Sequence, residues 1–128
     1  MADDVRIHVG TSGFSYAEWV PAFYPEHVKK AGMLSFYASQ LPSVELNNTF
    51  YRMPSEKVVT AWSEQGPDTF RFAIKATMGM TWSSKRAYCG ERLERLFEVL
   101  APLGSKLGCV FYQLPKAVMC DLDVLRNF

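Results

Sequence analysis

The stretch from Ser43 to Lys75, SVELNNTFYRMPSEKVVTAWSEQGPDTFRFAIK, carries the pattern on which the fold turns. Ser43 to Leu46 reads as a short strand, and Asn47-Asn48-Thr49-Phe50-Tyr51 is the loop leaving it. Ser55 stands as an N-cap, its hydroxyl suited to an unpaired first-turn N–H, before a helical stripe of Val58, Ala61, Trp62 and Gln65. Gly66-Pro67 then stops the helix, because proline cannot continue one. Phe70 to Lys75 returns as another strand. A strand, a helix and a strand within about 30 residues predict parallel neighbours joined by a crossover.

The same alternation extends in both directions. Upstream, Arg6 to Val9 reads as a first strand, ended by the breaker cluster Gly10-Thr11-Ser12-Gly13. An aromatic, irregular stretch follows through Tyr16, Trp19, Phe23, Tyr24 and Pro25. Leu34, Tyr37, Ala38 and Leu41 then fall at i, i+3, i+4 and i+7, a helical stripe that Pro42 ends. Downstream, Leu93, Leu96, Phe97 and Leu100 form the core stripe of another helix, with Glu91 and Arg95 paired on its wet face and Gly104 as its stop. Leu107 to Gln113 is the fourth strand, and Asp121 caps a last helix through Leu122 and Leu125.

Composition bounds the rest. With 128 residues, 48% hydrophobic and 21% charged, one soluble core is expected. Fourteen Lys and Arg against 13 Asp and Glu leave a formal charge of +1, which supplies no broad field for gathering nucleic acid or an anionic membrane. Cys89, Cys109 and Cys120 are odd in number and lack CxxC spacing and co-ligand histidines, so neither a disulfide framework nor a metal site is signalled, and no cofactor is expected. A reducing cytoplasm fits that usage. No run approaches the roughly 20 apolar residues needed to span a bilayer, and Met-Ala-Asp-Asp is not a signal-peptide start. Pattern alone leaves two α/β architectures open: a free-standing four-stranded flavodoxin-like domain, or four βα units of a (β/α)₈ TIM barrel.

Five blocks bear on that choice. Ile7-His8-Val9-Gly10-Thr11-Ser12-Gly13-Phe14, then Trp19 with Phe23-Tyr24-Pro25, then Val44-Glu45-Leu46-Asn47-Asn48-Thr49-Phe50-Tyr51, then Phe70 to Lys75, then Phe111-Tyr112-Gln113-Leu114-Pro115 closely resemble the domain of unknown function 72 family, called YecE-like. The resemblance implies a (β/α)₈ barrel, of which residues 1–128 are the N-terminal half: a truncated TIM-barrel domain with a parallel sheet, ending inside the fourth helix. It implies no substrate. One departure is visible, since Thr81-Trp82 stands where the family's Thr-His is expected, and any role of that histidine is absent.

In such a barrel the chemistry sits at the C-terminal ends of the strands, where the βα loops gather. Alternation turns Val44, Leu46, Phe72 and Ile74 toward the helices and therefore Glu45, Asn47, Arg71, Ala73 and Lys75 inward, with Cys109, Phe111 and Gln113 from the fourth strand. Glu45 and Lys75 are the candidate catalytic pair, a carboxylate beside an ammonium. Thr11, Ser12, Asn47, Gln113 and Tyr51 are the candidate substrate-binding residues. The bland alternative is an interior ion pair of Glu45 with Lys75 or Arg71. His8 reads as a hydrogen-bonded core residue of the first strand, and the N–H groups of Gly10 to Gly13 as a weak anion site. Phe14, Tyr16, Trp19, Phe50 and Tyr51 either stack on a ligand or pack the loops together.

Three functions follow as expectations: a hydrolase or isomerase acting on a small polar or phosphorylated molecule, a nucleic-acid-binding module disfavoured by the charge, or an inactive truncated product. Two open sheet edges also predict self-association of half-barrels.

Overall fold

The structure, a computed structural model, describes residues 6–81, 90–116 and 122–126. Strands β1 (Gly10–Ser12), β2 (Ser43–Leu46), β3 (Arg71–Lys75) and β4 (Leu107–Phe111) form one parallel sheet in the order β1-β2-β3-β4. Helices α1 (Met33–Gln40) and α2 (Glu56–Gln65) join the first three strands. The short α3 (Met78–Thr81) and then α4 (Gly90–Leu100) lead to β4, and α5 (Leu122–Arg126) follows it. A doubly wound sheet would place β1 between other strands; the stepwise order is that of a barrel.

Burial along β2 and β3 alternates with period two, and Val44, Leu46, Phe72 and Ile74 are buried. They share one core with Leu34 and Tyr37 of α1, Val59 and Trp62 of α2, and Leu96 and Leu100 of α4, so these helices cover that face. On the opposite face, register aligns Ser12, Glu45, Ala73 and Cys109 as one rung and sets Phe111 beside Lys75. These residues are half-buried or exposed.

Local signals explain the connections. The Ser55 hydroxyl accepts from the Val58 N–H at 3.4 Å, capping α2. At the other end of α2, the Lys106 ammonium donates to the carbonyls of Ser63 (2.7 Å) and Gly66 (2.8 Å), placing a cation where the helix leaves orphan acceptors.

Five expectations are corrected here. The first strand is Gly10–Ser12 rather than Arg6 to Val9: Ile7 and Val9 are 81% and 61% exposed, and His8 is an exposed residue ahead of the strand, not a core one. Gly10 approaches β2 so closely that an added Cβ would lie 1.9 Å from the Ser43 carbonyl oxygen, so this glycine permits strand pairing instead of breaking it. In α4 the buried positions are Leu96, Val99 and Leu100, whereas Phe97 is 47% exposed, so the buried stripe is rotated toward Val99. Arg95 pairs with Glu98 (3.0 Å) and not with Glu91, a solvated contact of small consequence. Trp82, Cys89, Cys120 and Asp121 lie outside the described residues.

Two tyrosines hold the N-terminal side together. The buried Tyr37 hydroxyl accepts from the Thr11 N–H (2.8 Å), lies 2.9 Å from the Thr11 hydroxyl, and donates to the Ser43 carbonyl (2.9 Å), tying β1 to β2 from beneath the sheet. Tyr24 donates its hydroxyl to the Phe14 carbonyl. Burial pushes the Tyr24 hydroxyl from 10.0 up to about 12, and the nearby Tyr37 hydroxyl adds to the rise.

Two outcomes follow. Tyr37→Phe leaves the Thr11 N–H and Ser43 carbonyl without their partner and is expected to cost about 2 kcal/mol, read from the denaturant midpoint; an unchanged midpoint would exclude the tie. For Tyr24, the folded-state pKa lies above the unfolded one, so the neutral phenol's contribution is fully present below pH 10 and is lost as pH rises through about 12. Tyr24→Phe is expected to flatten the fall in stability over that window, and identical slopes in the two proteins would contradict the assignment.

Candidate functional site

The polar residues of the sheet's open face collect at the C-terminal ends of the strands. Ser12 ends β1 and pairs in register with Glu45, while Asn47 follows Leu46 directly at the end of β2. The Ser12 hydroxyl donates to a Glu45 carboxylate oxygen (3.0 Å) and accepts from the Asn47 side-chain N–H (2.5 Å). An amide, a hydroxyl and a carboxylate thus form one directional chain across two strands. The Tyr16 hydroxyl donates to the Ser12 carbonyl (2.6 Å), fixing the backbone beneath it. Of Ser12, Glu45 and Asn47, Asn47 alone lines a cleft of about 250 Å³, together with Gly13, Phe14, Tyr16, Leu46 and Trp62.

A second group forms on β3 and β4. The Lys75 ammonium donates to the Gln113 side-chain oxygen (2.7 Å) and stands 4.8 Å from the centre of the Phe50 ring, a cation–π contact. The loop after β2 is locked against β3 by buried Thr49, whose hydroxyl contacts the carbonyls of Leu46 (3.0 Å) and Lys75 (2.7 Å). That lock sets Phe50 under the lysine. Phe50, Tyr51, Lys75, Gln113, Pro115 and Lys116 bound a cleft of about 320 Å³.

The candidate residues therefore divide. Ser12, Glu45 and Asn47 form one bonded group, and Lys75 and Gln113 another, with Tyr51 80% exposed at the second cleft. Glu45 and Lys75 make no ion pair among the described residues. Arg71 is not a partner for Glu45 either: its guanidinium donates to the carbonyls of Asp68 (2.9 Å) and Phe70 (3.0 Å). Thr11 does not face the clefts. It is paired with Val44 on the helix side, and its hydroxyl donates to the Gly13 carbonyl (2.6 Å) next to Tyr37. Two N–H groups of the glycine-flanked segment are engaged, Thr11 with Tyr37 and Gly13 with the Glu45 carbonyl (2.8 Å), so these two do not serve an anion.

The aromatics of the first loop pack on one another. Trp19 lies 4.8 Å from Tyr16, 5.6 Å from Phe23 and 6.1 Å from Tyr24 between ring centres. Residues that sequence patterning did not single out for the site are Thr49, Tyr16 as a backbone anchor, and Lys116. Thr49 lies inside the third block and Lys116 follows the Pro115 that ends the fifth, so both had a local signal. Among the described residues no group of three or more His, Cys, Asp or Glu side chains could hold a metal ion, and no helix is long and apolar enough to cross a membrane.

The chain is similar to known proteins along nearly its whole length. UPF0759 protein YecE of Escherichia coli (strain K12) is 29% identical over 111 residues, covering 85% of this chain and 38% of that protein. UPF0759 protein YunF of Bacillus subtilis (strain 168) is 28% identical over 123 residues, covering 91% of this chain and 43% of its own length. The chain thus spans less than half the length of these curated relatives. Among solved structures, a DUF72 family protein of Enterococcus faecalis V583 superposes with a TM-score of 0.76 at 27% identity over 95% of this chain and 44% of that one. A DUF72 family protein of Thermotoga maritima MSB8 gives 0.75 at 29% identity over 94% and 50%. The four βα units therefore correspond to about half of those folds. The model of the family described as protein of unknown function DUF72 matches residues 8–128, and the chain belongs to that family.

Proposed function

We propose that the chain carries one side of an enzyme mouth that moves protons on a small polar substrate, the whole protein acting as a hydrolase or isomerase. The Asn47–Ser12–Glu45 hydrogen-bond chain carries this reading. With the Asn47 amide feeding the Ser12 hydroxyl, and that hydroxyl feeding Glu45, the carboxylate is held in one orientation on the open face of the sheet. A carboxylate held in one orientation is suited to general acid–base work. In an isomerisation Glu45 takes a proton from carbon beside a carbonyl and returns it to a neighbouring atom. In a hydrolysis it takes the proton of the attacking water. Lys75 stands apart from Glu45 and serves the charge that develops on oxygen, not the proton relay.

The near-neutral net charge and the packing of the loop aromatics on one another favour a small molecule over nucleic acid, whose binding draws on phosphate neutralisation. The free, exposed thiol of Cys109 supports a reducing, cytoplasmic setting.

The test is incubation with a panel of small aldoses, ketoses and polyols and their phosphate esters in heavy water, followed by NMR. Deuterium appearing beside a carbonyl marks an isomerase, and released alcohol or phosphate marks a hydrolase. Glu45→Gln keeps the shape and removes the base, so it is expected to lower turnover by at least about 100-fold. Turnover unchanged in that variant would overturn the role of Glu45.

The open edges of the sheet favour a second proposal, about association. Among the described residues no strand pairs with the outer side of β1 or of β4, and a second copy pairing β4 to β1 and β1 to β4 closes both edges under one two-fold axis. The 128-residue chain by itself is expected to sediment as a dimer or larger species at micromolar concentration. A compact monomer with a single cooperative melt would rule this out.

A further inference from the structure

We propose that the cleft on the β3–β4 side of the mouth is a seat for a phosphate monoester, which makes the substrate class a small phosphorylated polyol. This rests on the acid–base reading of Glu45 and assigns the other end of the same molecule.

The seat is built around an ammonium that pairs with no carboxylate among the described residues. Other described basic side chains whose partners are known serve the chain itself: Lys106 and Arg71 cap carbonyls, Arg92 donates to the Gly79 carbonyl, and Arg95 and Arg126 pair with Glu98 and Asp123. Lys75 is different. Its hydrogen-bond partner among the described residues is the neutral Gln113, and its other contact is the face of the Phe50 ring. Neither neutralises it, so its full charge is presented to the cleft.

The position is also held before any ligand arrives. Thr49 bonds the Lys75 carbonyl from below, Phe50 is buried beneath the ammonium, and Gln113 fixes it from β4's end. Because Gln113 gives its oxygen to Lys75, its –NH₂ end remains a donor at the same cleft. Lys116 lines the cleft and adds a second positive charge. Two ammonium groups and an amide donor suit an anion with several acceptor oxygens, and a doubly charged phosphate gains more from them than a carboxylate does. At about 320 Å³ the cleft holds a small headgroup, with exposed Tyr51 at its rim. The remainder of the substrate then reaches along the strand ends toward Ser12 and Glu45.

The experiment is calorimetric titration of the protein with inorganic phosphate, glycerol phosphate, glycerol and acetate, with turnover followed in parallel on the phosphate-ester panel. Phosphate and glycerol phosphate are expected to bind and to weaken as salt rises, while glycerol and acetate bind far more weakly. Lys75→Met is expected to weaken phosphate at least roughly tenfold, and Lys75→Arg to retain most of the affinity. Circular dichroism checks that both variants fold, and the arginine variant keeps the test decisive if the methionine one does not. Glu45→Gln is expected to leave phosphate affinity within about twofold, since the carboxylate stands outside the seat. Phosphate binding that is absent, that is equal in Lys75→Met and wild type, or that is outdone by acetate would overturn the seat while leaving the Glu45 reading to its own turnover test. Lys75-dependent phosphate binding with turnover unaffected by Glu45→Gln would uphold the seat and overturn the base.

Discussion

Burial of one face of a parallel sheet governs this molecule. Val44, Leu46, Phe72 and Ile74 are packed against α1, α2 and α4, and because side chains on a strand alternate, that single commitment sends Ser12, Glu45, Ala73 and Lys75 to the other face. A slip of one residue in either central strand would bury the charges and expose the core. The polar mouth is thus a consequence of the hydrophobic stripe.

The N-terminal edge needs more than that stripe. β1 is three residues long and contributes little apolar surface, so it is held by polar bonds: the Tyr37 hydroxyl beneath Thr11 and Ser43, the Gly13 N–H on the Glu45 carbonyl, and the close backbone contact that Gly10 permits. These bonds place the Ser12 hydroxyl between Asn47 and Glu45. The aromatic loop from Tyr16 to Tyr24 packs over the same edge, and Tyr16 anchors the Ser12 carbonyl. Structure and candidate chemistry share the same few residues here.

The separation of Glu45 from Lys75 has a physical origin in the loop after β2. Thr49 bonds to the end of β3 and sets Phe50 beneath the lysine, while Gln113 offers a neutral acceptor across β4. The ammonium therefore settles over a ring and beside an amide, and the carboxylate is satisfied by a hydroxyl. Two polar groups of opposite charge result, where direct pairing would have cancelled both charges.

Ser43 to Lys75 was legible from sequence because apolar period, cap and stop agree: the strand at 43–46, the Ser55 cap, the Gly66-Pro67 stop and the next strand are local signals, and parallel order follows from the crossover. The inward set of Glu45, Asn47, Lys75 and Gln113 followed from alternation alone. What sequence could not determine depends on partners distant along the chain. Gly10 to Ser12 is a strand only because Ser43 and Tyr37 lie beside it, Thr11 turns away from the mouth for the same reason, and the buried side of α4 is chosen by Leu103 and the sheet instead of by the Leu93–Phe97 pattern. Periodicity states which residues share a face, but which neighbour each hydrogen-bonding group finds is decided by packing in three dimensions.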